Sequence, residues 1–192
     1  MNRPEILILR HGETVWNREG RFQGGYDSPL TKKGREQAAR MGQRLRDMGI
    51  GADTHEFLTS PQGRAVETAR IALSEIGARA RQEPLLREIG MGEWSGLSRD
   101  EIARKWPGPE DESFIDLYAR APGAETFDAL WARVGELLDT VTRPTVMITH
   151  GFTSRFLRTR AVGLGLDALD HLPGGQGVIF RIRNGCHECL EE

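Results

Sequence analysis

The sequence predicts an α/β fold, a three-layer sandwich in which a mainly parallel central sheet carries helices on both faces. Two short runs, residues 5–10 (EILILR) and 144–149 (PTVMIT), are dominated by aliphatic residues, as expected of strands that are buried on both faces. Longer amphipathic segments separate such runs along the chain. Alternating strands and helices favour a parallel sheet, because each parallel pair of strands needs a crossover connection.

The other elements follow from periodicity and from the residues that begin and end them. Further strands are predicted at residues 55–60 and 177–183, and helices at 30–49, 60–73, 98–106, 125–141 and 152–164. Thr31 is suited to cap the first of these helices and Gly49 to end it. Ser60 is the expected cap of the second, with Pro61 at its first position. Ser98 and Glu101 form a capping box, and Glu125 is expected to favour the start of its helix.

We expect residues 1–192 to form a single domain with an irregular, cap-like excursion at about 89–127. A chain of this length is enough for one well-filled core. The excursion is predicted because residues 107–124 contain three prolines and an acidic patch. Residues 11–30 form a second long segment without periodicity, and a loop of that length inside a domain is usually functional.

Charge and composition exclude several classes of partner. The net charge is −2, which is unsuited to recruiting nucleic acid or an anionic membrane surface. The sequence shows no signal-peptide pattern and no apolar run long enough to span a membrane, so we expect a cytoplasmic protein. Cys186 and Cys189 have the spacing of a redox pair or of half a zinc site. Even with His187 a fourth metal ligand is missing, and the pair lies next to a terminus that we expect to be frayed, so we expect it to carry no chemistry needed for function.

Two predicted strands end in the same way. The first runs into Arg10, His11 and Gly12, and the strand at 144–149 runs into His150 and Gly151. Ligands of open α/β sheets bind beyond the carboxyl ends of the strands, so both imidazoles should emerge at one edge. A glycine after each histidine would let the main chain approach a ligand closely.

A second arginine indicates what that ligand is. Arg64 falls in the first turn of the helix that follows the strand at 55–60, and it should point to the same edge. A phosphoryl pocket is indicated where guanidinium groups, free helix amides and imidazoles meet at one place. A carboxylate is the competing ligand, although two guanidinium groups suit a dianion better.

Six segments in order give the chain a specific resemblance. They are LRHGETVWN, GRFQGGYDSPLTKKGREQA, TSPQGRAVETA, LREIGMGEWSG, PGAETF and MITHG. Together they resemble the histidine phosphatase superfamily, which includes cofactor-dependent phosphoglycerate mutases and many phosphatases. The resemblance spans about residues 5–183 and implies a phosphoglycerate mutase-like fold.

The resemblance also implies roles for individual residues. His11 matches the nucleophile that becomes phosphohistidine, and Glu88 matches the proposed proton donor to the leaving group. The positions that hold the phosphoryl oxygens match Arg10, Arg64 and His150. The loop that lines the pocket matches Asn17, Gln23 and Gly24, and we expect the amide of Gly151 to face the same oxygens. No metal and no organic cofactor is implied for phosphatase activity.

The expected function is therefore hydrolysis of a small phosphomonoester through phosphohistidine. One alternative is a phosphoglycerate mutase, although the interval 89–149 is short for one. Another is a phosphate-binding protein without catalysis, although such a protein would not need Glu88. A third, a phosphohistidine protein phosphatase, would usually lack the acid-bearing middle segment. The sequence leaves the physiological substrate and the oligomeric state open.

Overall fold

The protein contains a mixed central sheet between two layers of helices. The computed structural model describes residues 3–190. Its strands are β1 (Ile6–Arg10), β2 (Glu56–Thr59), β3 (Arg81–Gln82), β4 (Thr145–Thr149), β5 (Ile179–Arg183) and β6 (Cys186–Leu190). Their order in the sheet is β3-β2-β4-β1-β5-β6. The first four are parallel, and β5 runs antiparallel to both of its neighbours, which confirms the predicted α/β class.

Seven α-helices connect and cover these strands within residues 3–190. They are α1 (Val15–Arg18), α2 (Lys32–Asp47), α3 (Gly63–Ser74), α4 (Arg99–Lys105), α5 (Phe114–Ala119), α6 (Phe127–Thr140) and α7 (Gly151–Ala161). Short 3₁₀ turns occur at Pro84–Leu86, Gly92–Trp94 and Leu166–His171. Over the described residues, every helix is too short or too polar to cross a lipid bilayer.

The central strand β1 divides the core into two layers. Ile6 and Ile8 belong to the cluster that also contains the buried side chains of α6 and α7. Leu7 and Leu9 point the other way, into the cluster formed with α2 and α3. All four side chains are fully buried, because successive residues of a strand face opposite sides of the sheet. The apolar run therefore marks a strand covered on both faces, as predicted.

The predicted start of α3 is wrong by two residues. α3 begins at Gly63 with Gln62 in the cap position, whereas Ser60 was expected to cap it. The amide of Ser60 still belongs to the sheet ladder and donates to the carbonyl of Ile148. Its hydroxyl accepts the amide of Gln62 and also contacts a ring nitrogen of His150. Arg64 nonetheless lies in the first turn of α3, as the sequence predicted.

The start of α6 and the segment 186–190 also differ from what the sequence indicated. Thr126 caps α6, while Glu125 forms a paired, two-pronged contact with Arg133 instead of starting the helix. Residues 186–190, for which no strand was predicted, form β6 and pair with β5 along its whole length. An ion pair between Arg181 and Glu188 joins the two strands.

The excursion at 89–127 is more regular than predicted. It contains α4 and α5, and the capping box at Ser98 and Glu101 is present at the start of α4. Trp94 is fully buried beneath these helices. Tyr118 of α5 stacks on Phe152 of α7, with ring centroids 4.2 Å apart and an interplanar angle of 10°. Aromatic packing thus fixes α5 above the first turn of α7.

Leu7 offers a direct test of this core. Replacing it with alanine removes a fully buried side chain, and we expect the free energy of unfolding to fall by about 2–5 kcal/mol. Leu164→Ala is the matched control, because Leu164 is 45% exposed, and its cost should stay within about 0.5 kcal/mol. Urea unfolding curves measure both, and equal midpoints for the two variants would contradict the assignment of Leu7 to the core.

Candidate active site

The pairing of β1 with β4 brings the two histidines together. Arg10 lies opposite Thr149 in the parallel register, and the amide of His11 donates to the carbonyl of Thr149 at 2.9 Å. The next residue of each strand is therefore a histidine at the same edge. The ring centroids of His11 and His150 are 5.2 Å apart and both rings are buried. The predicted juxtaposition of the two imidazoles is confirmed.

The hydrogen bond of His11 determines which ring nitrogen is available for chemistry. Its Nδ1 lies 2.8 Å from the carbonyl oxygen of Gly12, and a carbonyl oxygen only accepts, so Nδ1 carries the proton. In the neutral ring, the lone pair is then on Nε2. Burial, with the charges of Arg64 and Arg10, holds the pKa of His11 well below its usual value. The imidazole therefore stays neutral at pH 7.

The second imidazole is held on both sides. The Nε–H of Arg64 donates to Nδ1 of His150 at 3.1 Å, so Nε2 carries the proton and donates to the hydroxyl of Ser60 at 2.7 Å. Burial and the charge of Arg64 hold the pKa of His150 well below its usual value. Both nitrogens of His150 are thus engaged by protein atoms, and His150 contacts Arg64 instead of lining the main cavity.

Arg64 is buried and oriented by the loop that follows β1. Its guanidinium donates to the carbonyl oxygens of Gly24 and Tyr26 and forms an ion pair with Asp27 at 2.9 Å. The carboxylate of Asp27 also accepts the amides of Gly63 and Arg64 at the start of α3. Asp27 therefore fixes Arg64 and its helix together, a role that was not foreseen from the sequence.

Arg10 differs from Arg64 in lacking protein partners. Its Nε is buried, and no hydrogen-bond acceptor within residues 3–190 reaches it. Burial lowers its pKa, while Glu88 acts in the opposite direction. A buried guanidinium with an unsatisfied N–H indicates a place for an anion.

The glycines after the histidines make room for protein groups. A Cβ on Gly12 would lie 2.1 Å from the carbonyl oxygen of Gly34, so this glycine allows α2 to pack against the segment after β1. A Cβ on Gly151 would lie 3.1 Å from Cζ of Arg10. The groups that approach these glycines are α2 and Arg10, and a close approach of the main chain to a ligand stays a prediction.

Glu88 occupies the N-terminus of α7. Its Oε1 accepts the amide and the hydroxyl of Thr153 and the amide of Ile89, and its Oε2 accepts the amide of Phe152. The free amides of the helix, which the sequence suggested for a phosphoryl group, are therefore used by a carboxylate. Oε2, with one donor, is the oxygen with more capacity for a further bond.

A cavity of about 180 Å³ joins these groups. Its wall includes Arg10, His11, Arg64 and Glu88, together with the predicted loop residues Asn17, Gln23 and Gly24. Gly151 does not line it and lies in the wall of a neighbouring cavity. Arg21 and Arg99 add further positive charge to the wall, so four arginines face one glutamate. The cavity is suited to an anion.

Several residues of the site were not recognised from the sequence. The side chain of Gln62 links the loop after β1 to the acid segment, because it donates to the carbonyl of Gly24 and accepts the amide of Glu88. Tyr118 of α5 lines the cavity, and burial raises the pKa of its hydroxyl. Gln62 lies two residues after Ser60, close to the end of β2, and could have been found by its position. Tyr118 lies in the excursion, where no pattern pointed to it.

Comparison with known proteins identifies the family. The model of the histidine phosphatase superfamily (branch 1) matches residues 6–187. The chain belongs to the histidine phosphatase superfamily. A relative from Erwinia tasmaniensis named "Probable phosphoglycerate mutase GpmB" is 33% identical over 176 residues, covering 85% of this chain and 77% of that protein.

Solved structures of this superfamily share the fold. YhfR of Bacillus stearothermophilus superposes with a TM-score of 0.76 at 33% identity, covering 98% of this chain and 96% of that one. A mycobacterial glucosyl-3-phosphoglycerate phosphatase, solved in complex with VO3, gives a TM-score of 0.78 at 28% identity over 93% of this chain and 92% of that one. Members of the histidine phosphatase superfamily are enzymes, and phosphatases are among these neighbours.

The burial of neutral His150 has a measurable effect on stability. In the folded protein its pKa is lowered, whereas in the unfolded chain it takes up a proton near pH 6.5. The unfolded state then binds more protons, so stability falls as the pH decreases below about 6.5. We expect His150→Gln to reduce that slope by about 1 kcal/mol per pH unit between about pH 6 and 5. Urea unfolding in phosphate-free buffer measures it, and identical slopes would show that His150 is not buried as a neutral ring.

Proposed function

We propose that this protein hydrolyses a small phosphomonoester through a phosphohistidine intermediate on His11. The observation that carries the proposal is the neutral imidazole of His11, with its Nδ1 proton held by Gly12, in one cavity with two buried guanidinium groups and a carboxylate. A nucleophile, an anion site and a proton carrier are the parts that phosphoryl transfer to an enzyme group needs.

In the first step, Nε2 of His11 attacks phosphorus in line with the ester oxygen. The new bond joins nitrogen to phosphorus while the bond from phosphorus to the ester oxygen breaks. Arg10 and Arg64 stabilise the negative charge on the phosphoryl oxygens, and Arg64 is held in place before the reaction by Asp27 and by two loop carbonyls. A phosphate-holding role for His150 remains a prediction. Its contact with Arg64 also gives it a positioning role.

Glu88 carries the proton in both steps. Its Oε2 bears the proton that passes to the departing alkoxide, so the alcohol leaves in neutral form. Glu88 then accepts a proton from water, whose oxygen attacks phosphorus and breaks its bond to His11. Inorganic phosphate and the free imidazole are the products. The helix amides on Glu88 keep its carboxyl group at a fixed place at the cavity wall.

A phosphoglycerate mutase is the second candidate, because relatives of this chain carry that name. A mutase would pass the phosphoryl group from His11 to a second phosphoglycerate instead of to water. Incubation with 3-phosphoglycerate separates the two: hydrolysis releases inorganic phosphate, whereas a mutase forms the 2-phospho isomer.

His11→Ala is expected to abolish turnover, with at least a thousandfold loss of kcat, because no other group in the cavity is placed to attack phosphorus. His171→Ala is the matched control, since this histidine is exposed and outside the cavity, and it should retain the wild-type rate. Phosphate release from p-nitrophenyl phosphate measures both variants. Turnover by His11→Ala at the wild-type rate would refute the nucleophile.

Glu88→Gln is expected to slow alkyl phosphates far more than p-nitrophenyl phosphate, because nitrophenolate leaves without a proton. A ratio of the two losses of about a hundredfold would fit general acid catalysis. Glu93→Gln is the control, since Glu93 is exposed and outside the cavity, and it should slow neither substrate. If Glu88→Gln slowed both substrates equally, the proton-donor role would be lost.

A further inference from the structure

A second cavity adjoins the one that contains His11. Its volume is about 80 Å³, and it shares Arg10, Glu88, Phe114 and Tyr118 with the first. The far side is formed by α7, with Ser154, Arg155 and Arg158, and by the glycines that precede β5. A ligand whose phosphoryl group lies at His11 could therefore extend past Glu88 into this second cavity.

Arg158 is a buried cation without a carboxylate. It is 1% exposed, and over residues 3–190 it forms no ion pair with Asp or Glu. Its Nε donates to Ser154, one terminal nitrogen donates to His187 at 2.9 Å, and the other donates to the carbonyl of Pro173 at 2.8 Å. These contacts use three of the five N–H groups of a guanidinium. Two N–H groups remain for another acceptor.

Among residues 3–190 no carboxylate pairs with Arg158, and Cys189 is the neighbour whose charge acts to raise its pKa. Burial lowers the pKa of His187 to about 4, so that imidazole is neutral at pH 7. Burial lowers the pKa of Arg158 itself to about 9, and the charge of Arg155 acts in the same direction. The face of Phe180 lies 3.8 Å from Cζ of Arg158 and gives a cation–π contact instead of a counter-charge.

The other charged residues of this cavity leave an excess of positive charge. Arg155 donates to the carbonyls of Leu169 and Leu172 and forms no ion pair within the described part of the chain. Arg10 has a buried Nε–H without an acceptor. Glu88, the one carboxylate in the wall, already accepts hydrogen bonds from α7 through both oxygens. Buried charges are normally paired. Here Arg10, Arg155 and Arg158 face one carboxylate, Glu88, whose oxygens already accept hydrogen bonds.

We propose that this second cavity is a subsite for an anion, and that the substrate is a phosphomonoester whose alcohol portion carries a second anionic group. The inference rests on the proposed function for the position of the phosphoryl group. A carboxylate and a second phosphate share the required chemistry, because a guanidinium fork binds either one. The cavity of about 80 Å³ has room for such a group, since one water needs about 10–15 Å³.

The test compares ligands that differ only in the second charge. In the carboxylate arm, 3-phosphoglycerate is paired with glycerol 3-phosphate. In the phosphate arm, propane-1,3-diyl bisphosphate is paired with 3-hydroxypropyl phosphate. Calorimetric titration of His11→Ala gives Kd without turnover, and phosphate release by the wild-type protein gives kcat/KM. We expect the doubly anionic ligand to be favoured about tenfold or more in at least one arm.

Variants on α7 assign that preference to the subsite. Arg158→Met should reduce the preference to about twofold or less, and Arg158→Lys should restore part of it. Arg160→Met is the matched control, because the guanidinium of Arg160 lies over Trp131 and donates to its carbonyl, and the preference should persist. If Arg158→Met fails to fold, Arg155→Met replaces it. A purely structural role for Arg158 would weaken both members of each pair alike.

The outcomes are distinguishable from those of the proposed function. Equal Kd values within both pairs for the His11→Ala protein would overturn the subsite. A preference that survives both Arg158→Met and Arg155→Met would overturn it as well. A preference in Kd without any release of phosphate by the wild-type protein would overturn the proposed hydrolysis while supporting the subsite.

Discussion

The site depends on keeping guanidinium groups charged while they are buried. Arg10 and Arg64 lie at the carboxyl edge of the sheet, where burial lowers the pKa of each. The protein offsets this cost unevenly. Arg64 has Asp27 and three further acceptors, whereas the Nε–H of Arg10 has no acceptor among the described residues and Glu88 acts on Arg10 only at longer range. The difference makes Arg64 a fixed part of the scaffold and leaves Arg10 with unused hydrogen-bonding capacity. An anion at His11 would be stabilised most by the less satisfied group.

The same positive field keeps both histidines neutral. Burial comes first in lowering the pKa of His11 and His150, and the neighbouring arginines add to it. A nucleophile must be unprotonated, so in the proposed function the charges that would attract the phosphoryl group also keep His11 ready to attack it. The hydrogen bond from Nδ1 to Gly12 then directs the lone pair to Nε2. Anion binding and nucleophile activation thus have a common electrostatic cause.

Sequence patterns predicted the site residues that lie at or just after the carboxyl ends of parallel strands. The aliphatic runs of β1 and β4 end in histidine, and parallel pairing alone brings those ends together. Arg64 follows from the first turn of α3 by the same reasoning. Glu88 came from the family resemblance, since no periodicity marks it. Its place at the N-terminus of α7 depends on side-chain contacts across the fold.

Other features could not be read from local patterns because they depend on distant pairing. Tyr118 reaches the cavity because α5 stacks on α7 through Phe152. β6 was not predicted, since its short polar run gains its stability from pairing with β5. Nothing in the sequence around Arg158 distinguishes it from an exposed arginine on a helix. Its burial follows from β5 and β6, which supply Phe180 and His187 to cover it.

These two kinds of feature divide the site into halves with different constraints. The half around His11 is built on the ends of central strands, where a shift of any strand would move every group at once. The half beyond Glu88 is built on α5, on α7 and on β5. Relatives of this chain are named as a phosphoglycerate mutase and as a glucosyl-3-phosphoglycerate phosphatase. In this chain the half beyond Glu88 carries Arg155 and Arg158, whose acceptors are neutral groups that supply no counter-charge. Buried charges are normally paired, so an anionic ligand is the group that this half lacks. The identity of the alcohol should therefore be sought among small molecules that carry a second negative charge.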